Sequence, residues 1–313
     1  MSQAPLTFEP LYKTRIWGGR VLATRYHRPL PDEQPYGESW EIVDREEDQS
    51  VVKEGVYAGQ TLHQLWSEHR AEVFGSGMPD SERFPLLIKI LDCQDDLSIQ
   101  VHPPTELAPS LNGEPKTEMW YLAGAEERAS LYIGLKNGVT RAQFEQAIAE
   151  GTVAEVVHRI QPKEGESIFI PSGRLHAIGG GNLIFEIQQN SDTTYRVFDW
   201  NRLGLDGQPR ELHVEESLAS IDFDDFEPGM DTPDGTTLAR CEYFQTDELK
   251  VVAGGSIENP QADRFSLVAV VSGQVKSASG NHEPGDWLLL PKGAAPLEAL
   301  VDSVVLQVTL PSA

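Results

Sequence analysis

At 313 residues the chain is long enough for two domains, each with a core of its own. Its 49 acidic against 25 basic residues give a net charge of −24, which argues against nucleic acid and anionic membrane as partners. Hydrophobic residues make up 39% of the chain, but in short runs such as Phe84 to Leu91 and Leu267 to Val271, well below the ~20 apolar residues of a membrane helix.

The opening MSQAPLTFEP has no basic region followed by an apolar stretch and a small-residue cleavage site, so a cytoplasmic location is expected. Thr61 to Phe74 spaces Leu62, Leu65, Trp66, His69 and Val73 along one side of a helix. Cys93 and Cys241 are far apart and neither belongs to a CxxC pair, so both read as small apolar residues rather than a disulfide or thiolate site. A further short helix is expected over Pro104 to Leu111. Thr140 to Ile160 reads as two amphipathic helical stretches broken by Gly151, with Thr140 and Gln143 spaced as a capping box. Most of the remainder is short runs rich in Val, Ile, Leu and Phe between Gly, Pro, Asn and Asp turns, the pattern of a β-barrel or sandwich with helical insertions. Asp222 to Thr237 reads as a linker, with Pro228, Gly229, Pro233, Gly235 and many acids, and places a domain boundary near 225 to 240.

An internal repeat gives the organisation more detail. Gly165-ESIFI-Pro171-Ser-Gly173 and Gly285-DWLLL-Pro291-Lys-Gly293 share one spacing, 120 residues apart, as expected of two homologous strand-and-turn units. Three residues after the last Gly, the first copy has His176 and the second Pro296, so only the first can ligate a metal there. Leu97 to His102 reads as a strand whose period of two puts Gln100 and His102 on one face. Glu118 opens the next strand after a loop. Gln100, His102, Glu118 and His176 thus come from three segments that a barrel would bring together. Imidazoles and a carboxylate suit zinc, and with a neutral Gln the site would carry a net charge of about +1, the start of a positive island on an acidic protein. His27, His63, His69, His158, His213 and His282 lack such companions and read as surface or hydrogen-bonded core residues. In Asn182 to Arg202, Glu186 and Gln188 share one face of a strand, and Asp192, Thr194 and Arg196 share one if the chain stays extended. This alternation fits a wet pocket, and it fits a solvated outer face equally well.

Four segments in order carry a family resemblance: SIQVHP from Ser98, KTEMWY from Lys116, FIPSGRLHAI from Phe169 and QQNSDTTYR from Gln188 to Arg196. Trp17-Gly-Gly19, GESWE from Gly37 to Glu41, and RELH from Arg210 to His213 extend it. Over residues 8 to 220 the chain resembles type I mannose-6-phosphate isomerases of the short bacterial form, members of the cupin superfamily. The resemblance implies a mainly β chain of two cupin (jelly-roll) β-barrels with a few helical insertions. Residues 1–230 would be the catalytic domain and 231–313 a cupin-like domain without metal ligands, Pro296 and Leu267 standing where His and Glu would fall. It implies one zinc ion held by Gln100, His102, Glu118 and His176, and Arg196, Lys116 and Asp192 as catalytic residues acting on a sugar phosphate through an enediol or enediolate. Lys116 with a depressed pKa, Asp192 and a metal-bound water are all candidates for the base, and either Lys116 or Arg196 for the phosphate grip. A non-catalytic sugar-phosphate sensor, an iron-dependent cupin dioxygenase and a cupin acting on glucose 6-phosphate are the competing readings; the pairing of Lys116 with Arg196 and the SIQVHP and NSDTTYR segments favour the mannose enzyme.

Overall fold

The computed structural model describes residues 4–311. The chain divides into two compact units. One gathers the described residues up to Leu11, Trp40–Ile88 and the chain from Thr232 onward; the other is Tyr12–Ser39 with Lys89–Asp231. Strands dominate both, as the patterning predicts.

In the second unit two sheets face each other. The first has the order Leu11–Gly19, Tyr36–Ile42, Leu86–Cys93, Asn182–Gln189, Glu118–Ala125, Ser167–Ile170; its strands Leu11–Gly19, Tyr36–Ile42 and Leu86–Cys93 contribute residues to both units. The second sheet runs Tyr195–Phe198, Ile99–Val101, His176–Ile178, Leu131–Leu135, Val157–Ile160. Trp17, Leu91, Trp120, Leu122, Ile168, Ile170 and Ile184 of the first meet Leu131, Ile133 and Ile178 of the second in one buried cluster. Each such side chain contributes about 1.5–3 kcal/mol on burial.

The outer face of the second sheet decides what points inward. Ile99, Val101, Ala177, Tyr195 and Val197 pack there in one buried cluster with Phe144 of the helix Arg141–Glu150 and with Ile221. Successive side chains of a strand alternate between faces. Burying these apolar residues outward therefore turns Gln100, His176 and Arg196 toward the interior. The register puts them in one row, with Gln100 the Cα partner of both His176 and Arg196.

Two of the helices, Arg141–Glu150 and Leu62–Glu68, start with reciprocal caps. Thr140 Oγ1 accepts from Gln143 N while Gln143 Oε1 accepts from Thr140 N, and Thr61 and Gln64 repeat the arrangement at Leu62–Glu68. Gly151 ends the first helix in the left-handed region, φ 71°. The second helical stretch expected before Ile160 is instead one 3-10 turn, Val153–Glu155, and the edge strand Val157–Ile160, because Val157 is drawn into the sheet's outer core. The expected helix over Pro104 to Leu111 is a 3-10 turn at Ala108–Leu111, and the Thr61–Phe74 helix is split into Leu62–Glu68 and Arg70–Val73. The patterning did not anticipate the helices Val21–Tyr26 and Val214–Ser220.

The first unit has its own pair of sheets. They run Thr237–Arg240, Gln245–Val251, Ser303–Thr309, Ser266–Ser272, Trp287–Leu290, and Ser256–Ile257, Leu297–Ala299, Val275–Ser277, Gly280–His282. Val268, Val270, Leu288, Leu290 and Val305 of one join Ile257, Val275 and Leu297 of the other in a shared core. The repeat is visible in the backbone. Gly165, Gly173, Gly285 and Gly293 all have positive φ, 69° to 92°, and the strand each pair brackets lies antiparallel to an equivalent neighbour. Ile170 pairs with Glu118, and Leu290, its counterpart 120 residues on, pairs with Ser266. The position equivalent to Glu118 is thus Ser266, not Leu267; a hydroxyl stands where the first copy has a carboxylate.

Candidate metal centre

His102, Glu118 and His176 converge as the strand periods predict, each no more than 1% exposed. Their ligand atoms lie within 4.8 Å of one another, with Glu118 Oε1 3.8 Å from His102 Nε2 and 3.6 Å from His176 Nε2. Each imidazole is oriented from behind: His102 Nδ1 is 2.8 Å from the Thr193 carbonyl and His176 Nδ1 is 2.9 Å from that of Arg174. A carbonyl accepts only, so the proton sits on Nδ1 and the Nε2 lone pair points inward. Burial first, then the nearby Lys116 ammonium, pushes the His102 pKa down to about 3, keeping the ring in the neutral form that a ligand needs.

The donors fit a divalent cation. His102 Nε2 and Glu118 Oε1 are buried without a hydrogen-bond partner among the described residues. Such an atom costs about 1–3 kcal/mol when left unsatisfied, and a cation between them would satisfy both. Two imidazoles and a carboxylate are a zinc donor set. Gln100 joins them, its amide Nε2 3.3 Å from His176 Nε2 and its Oε1 accepting from Ser98 Oγ at 3.2 Å. Turning the amide over would present Oε1 to the same point while Nε2 donated to Ser98 Oγ.

Lys116 Nζ lies 2.8 Å from Glu118 Oε2, both side chains buried. Burial alone would lower the Lys116 pKa, but the carboxylates of Glu118 and Glu186 outweigh it and hold the amine above its usual range. The depressed lysine pKa entertained from sequence is therefore not found in the protein alone; a cation bound at Glu118 would act in the opposite sense. Glu118 is the mirror image: burial works to raise its pKa, and Lys116 with the two histidines holds it well below the carboxylate range.

The centre opens into a cavity of about 570 Å³, also lined by Asp192, Thr194 and Arg196, the trio expected on one face. Arg196 Nε donates to Ser98 Oγ at 3.2 Å and Nη1 to the Glu211 carbonyl at 2.9 Å. Asp192 is exposed. Glu186 is buried and faces this cavity, taking a hydrogen bond from Trp120 Nε1 at 3.1 Å, so the solvated-face reading of its strand does not hold. Gln188 is buried too but donates to the Gln189 and Ser191 carbonyls, shaping the turn that follows. Sequence reasoning missed four cations or near-cations on the cavity wall. Lys89 sits 3.4 Å from Glu186 Oε2, Arg15 2.7 Å from Glu38 Oε1, Arg210 pairs with Asp199, and His213 accepts from the Arg196 backbone N–H at 3.3 Å. Lys89 had a signal, a lone charge inside the apolar run PLLIKIL, and His213 is a pocket residue where a structural role was expected. Among the described residues no helix is long and apolar enough to cross a membrane.

Residues 6–147 match the family model for the catalytic domain of type I phosphomannose isomerase. Mannose-6-phosphate isomerase ManA of Bacillus subtilis (strain 168) is 38% identical over 307 residues, covering 94% of this chain and 95% of that protein. The crystal structure of a mannose 6-phosphate isomerase from Bacillus subtilis superposes with a TM-score of 0.87 at 32% identity, over 98% of this chain and all (100%) of that one. A zinc-bound mannose 6-phosphate isomerase, only 14% identical, shares the fold at a TM-score of 0.79 over 98% of this chain and 100% of that one. The paired sheets and the repeat are those of a cupin, and with a relative this similar along nearly its whole length the chain belongs to the type I mannose-6-phosphate isomerase family.

Proposed function

We propose that the protein interconverts D-mannose 6-phosphate and D-fructose 6-phosphate, with one zinc ion held by His102, Glu118, His176 and Gln100. The observation that carries this reading is the buried ligand triad with Lys116 against Glu118, at the wall of a cavity that Arg196 also lines. The same substrate is named for relatives that align with this chain almost end to end, and a zinc-bound relative of the same fold supports zinc as the ion.

The isomerisation breaks the C2–H bond, forms a C1–H bond, and moves a proton from the C2 oxygen to the C1 oxygen through an enediol. Zinc, when bound, supplies a Lewis acid that stabilises negative charge on those oxygens. Lys116, kept protonated by Glu118 and Glu186, donates hydrogen bonds to the oxygen where charge develops. Asp192 makes no ion pair among the described residues and faces the cavity; its carboxylate takes the C2 proton and returns it at C1. Arg196 binds the far end of the substrate. We further place the enzyme in the cytoplasm and assign residues 231–313 to a cupin-like module without metal ligands.

The test is a coupled assay for fructose 6-phosphate formation from mannose 6-phosphate, before and after chelation and with zinc restored. Activity lost on chelation and recovered with zinc supports the reading. Absence of turnover by folded, zinc-replete protein sinks it.

A further inference from the structure

We infer that Trp120 is a positioning residue of the metal centre: its indole, anchored on Glu186, fixes the plane of the His176 imidazole. The inference rests on the metal reading above and goes beyond it, giving a role to a side chain whose only polar atom is a donor and so cannot be a ligand.

Trp120 follows Glu118 by two residues in the strand Glu118–Ala125, so the two side chains leave the same face. From there the indole meets His176 of the facing sheet, with ring centroids 5.4 Å apart and planes at 79°. This is the edge-to-face arrangement that aromatic quadrupoles favour. The contact has a task that the other contacts of His176 leave undone. His176 Nδ1–H donates to the Arg174 carbonyl, which fixes one ring atom. The χ2 torsion of a histidine has broad wells, so a single hydrogen bond leaves the direction of the Nε2 lone pair soft. The ring of His102 also lies close, at 4.7 Å, but it is itself a ligand that the metal must organise. A rigid indole against the imidazole removes the remaining freedom before any ion arrives.

The indole is itself held. Glu186 is the Cα partner of Trp120 on the adjacent strand, and its Oε1 accepts from Trp120 Nε1 at 3.1 Å while Oε2 lies 3.4 Å from Lys89 Nζ. Ile168 is the partner on the other side and packs in the same buried cluster. The second copy of the repeat provides an internal comparison. Ile168 corresponds to Leu288, so the strand pairing sets Trp120 against Val268, and Glu186 against Gln307, the Cα partner of Val268. Val268 closes its core among Val270, Leu288 and Leu290. The fold therefore makes no demand for tryptophan at this register. The copy that carries the metal histidine has the indole with a carboxylate opposite it, and the copy with Pro296 in place of that histidine has neither.

The experiment measures zinc affinity by competition with a chromophoric chelator, which needs no turnover. Trp120→Met fills much of the space with a flexible chain and is expected to weaken zinc by about ten-fold or more, the order found when groups that orient metal ligands are removed. Trp120→Phe keeps a ring beside His176 but loses the bond to Glu186, and about three-fold is expected, a partial rescue. Ile168→Ala loosens the same core from the neighbouring strand and should leave zinc affinity within about two-fold of wild type while lowering the melting temperature. Ile168→Val replaces it should the alanine variant not fold. A smaller loss in Trp120→Met, a Phe variant no better than the Met variant, or an Ile168 variant that loses as much zinc affinity as Trp120→Met overturns the inference. If Trp120→Met does not fold, Trp120→Phe decides against the Ile168 control: a three-fold loss that the control does not share supports the role, and wild-type affinity removes it. Wild-type protein that takes up no zinc defeats the metal reading and this inference with it, whereas wild-type protein that binds zinc no better than Trp120→Met defeats this inference alone.

Discussion

Gln100 and His176 are Cα partners across adjacent antiparallel strands, and Gln100 Nε2 lies 3.3 Å from His176 Nε2. Side chains of such a pair share one face, so the amide is delivered to the point where the imidazole lone pair is aimed. Replacing Gln100 with Ala leaves the triad intact but removes one neutral donor. The variant is expected to keep zinc with about 10–100-fold lower affinity, the order found when groups supporting a metal site are removed. Competition against a chromophoric chelator measures this, and wild-type affinity would take Gln100 out of the ligand set.

Removing the metal also has a stability signature. Without a cation, His102 Nε2 and Glu118 Oε1 are buried and unsatisfied, whereas the unfolded chain offers both to water. Zinc at a free concentration about one hundred times its Kd is expected to stabilise the fold by about 2.7 kcal/mol. A melting midpoint indifferent to zinc would contradict a site at these residues.

Lys116→Gln tests whether the ammonium matters beyond its charge balance with Glu118. Activity is expected to fall by about 10²–10⁴-fold, the range for losing a positioned proton donor. Breaking a buried pair costs about 3–5 kcal/mol when the remaining charge is uncompensated. The metal-free variant should therefore lose more stability than the zinc-loaded one, since the cation supplies Glu118 with a counter-charge. Equal losses in both states, read by thermal unfolding, would separate Glu118 from the metal.

Thr140→Ala removes a cap on the helix whose Phe144 packs on the outer face of the ligand-bearing sheet. The expected cost is about 1 kcal/mol of stability. Because the cap is exposed and the helix lies on the face opposite Gln100 and His176, kcat and KM should stay at wild-type values. A drop in kcat at full folding would mean that the helix does more than cover the sheet.

Much of the centre was legible in the order of residues. The period of two in Ser98–His102 places Gln100 and His102 on one face, the glycine-bounded repeat singles out His176, and the capping box at Thr140 is written in a three-residue spacing. These are local rules, and local geometry obeys them. Val157–Ile160 shows their limit: amphipathic spacing allowed a helix, and the sheet edge beside Leu131–Leu135 claimed the segment as a strand.

By itself, then, the sequence determined which residues can ligate a metal, which faces they share and which family they resemble, since alternation and turn chemistry are set by neighbours along the chain. Only the tertiary structure decided who meets whom. Lys89 and Glu186, or Arg196 and Gln100, face each other because the strands Leu86–Cys93 and Asn182–Gln189, or Ile99–Val101 and Tyr195–Phe198, are neighbours in a sheet. Strand order and register follow from burying both sheets' apolar faces at once, a condition on the whole chain that no single segment records.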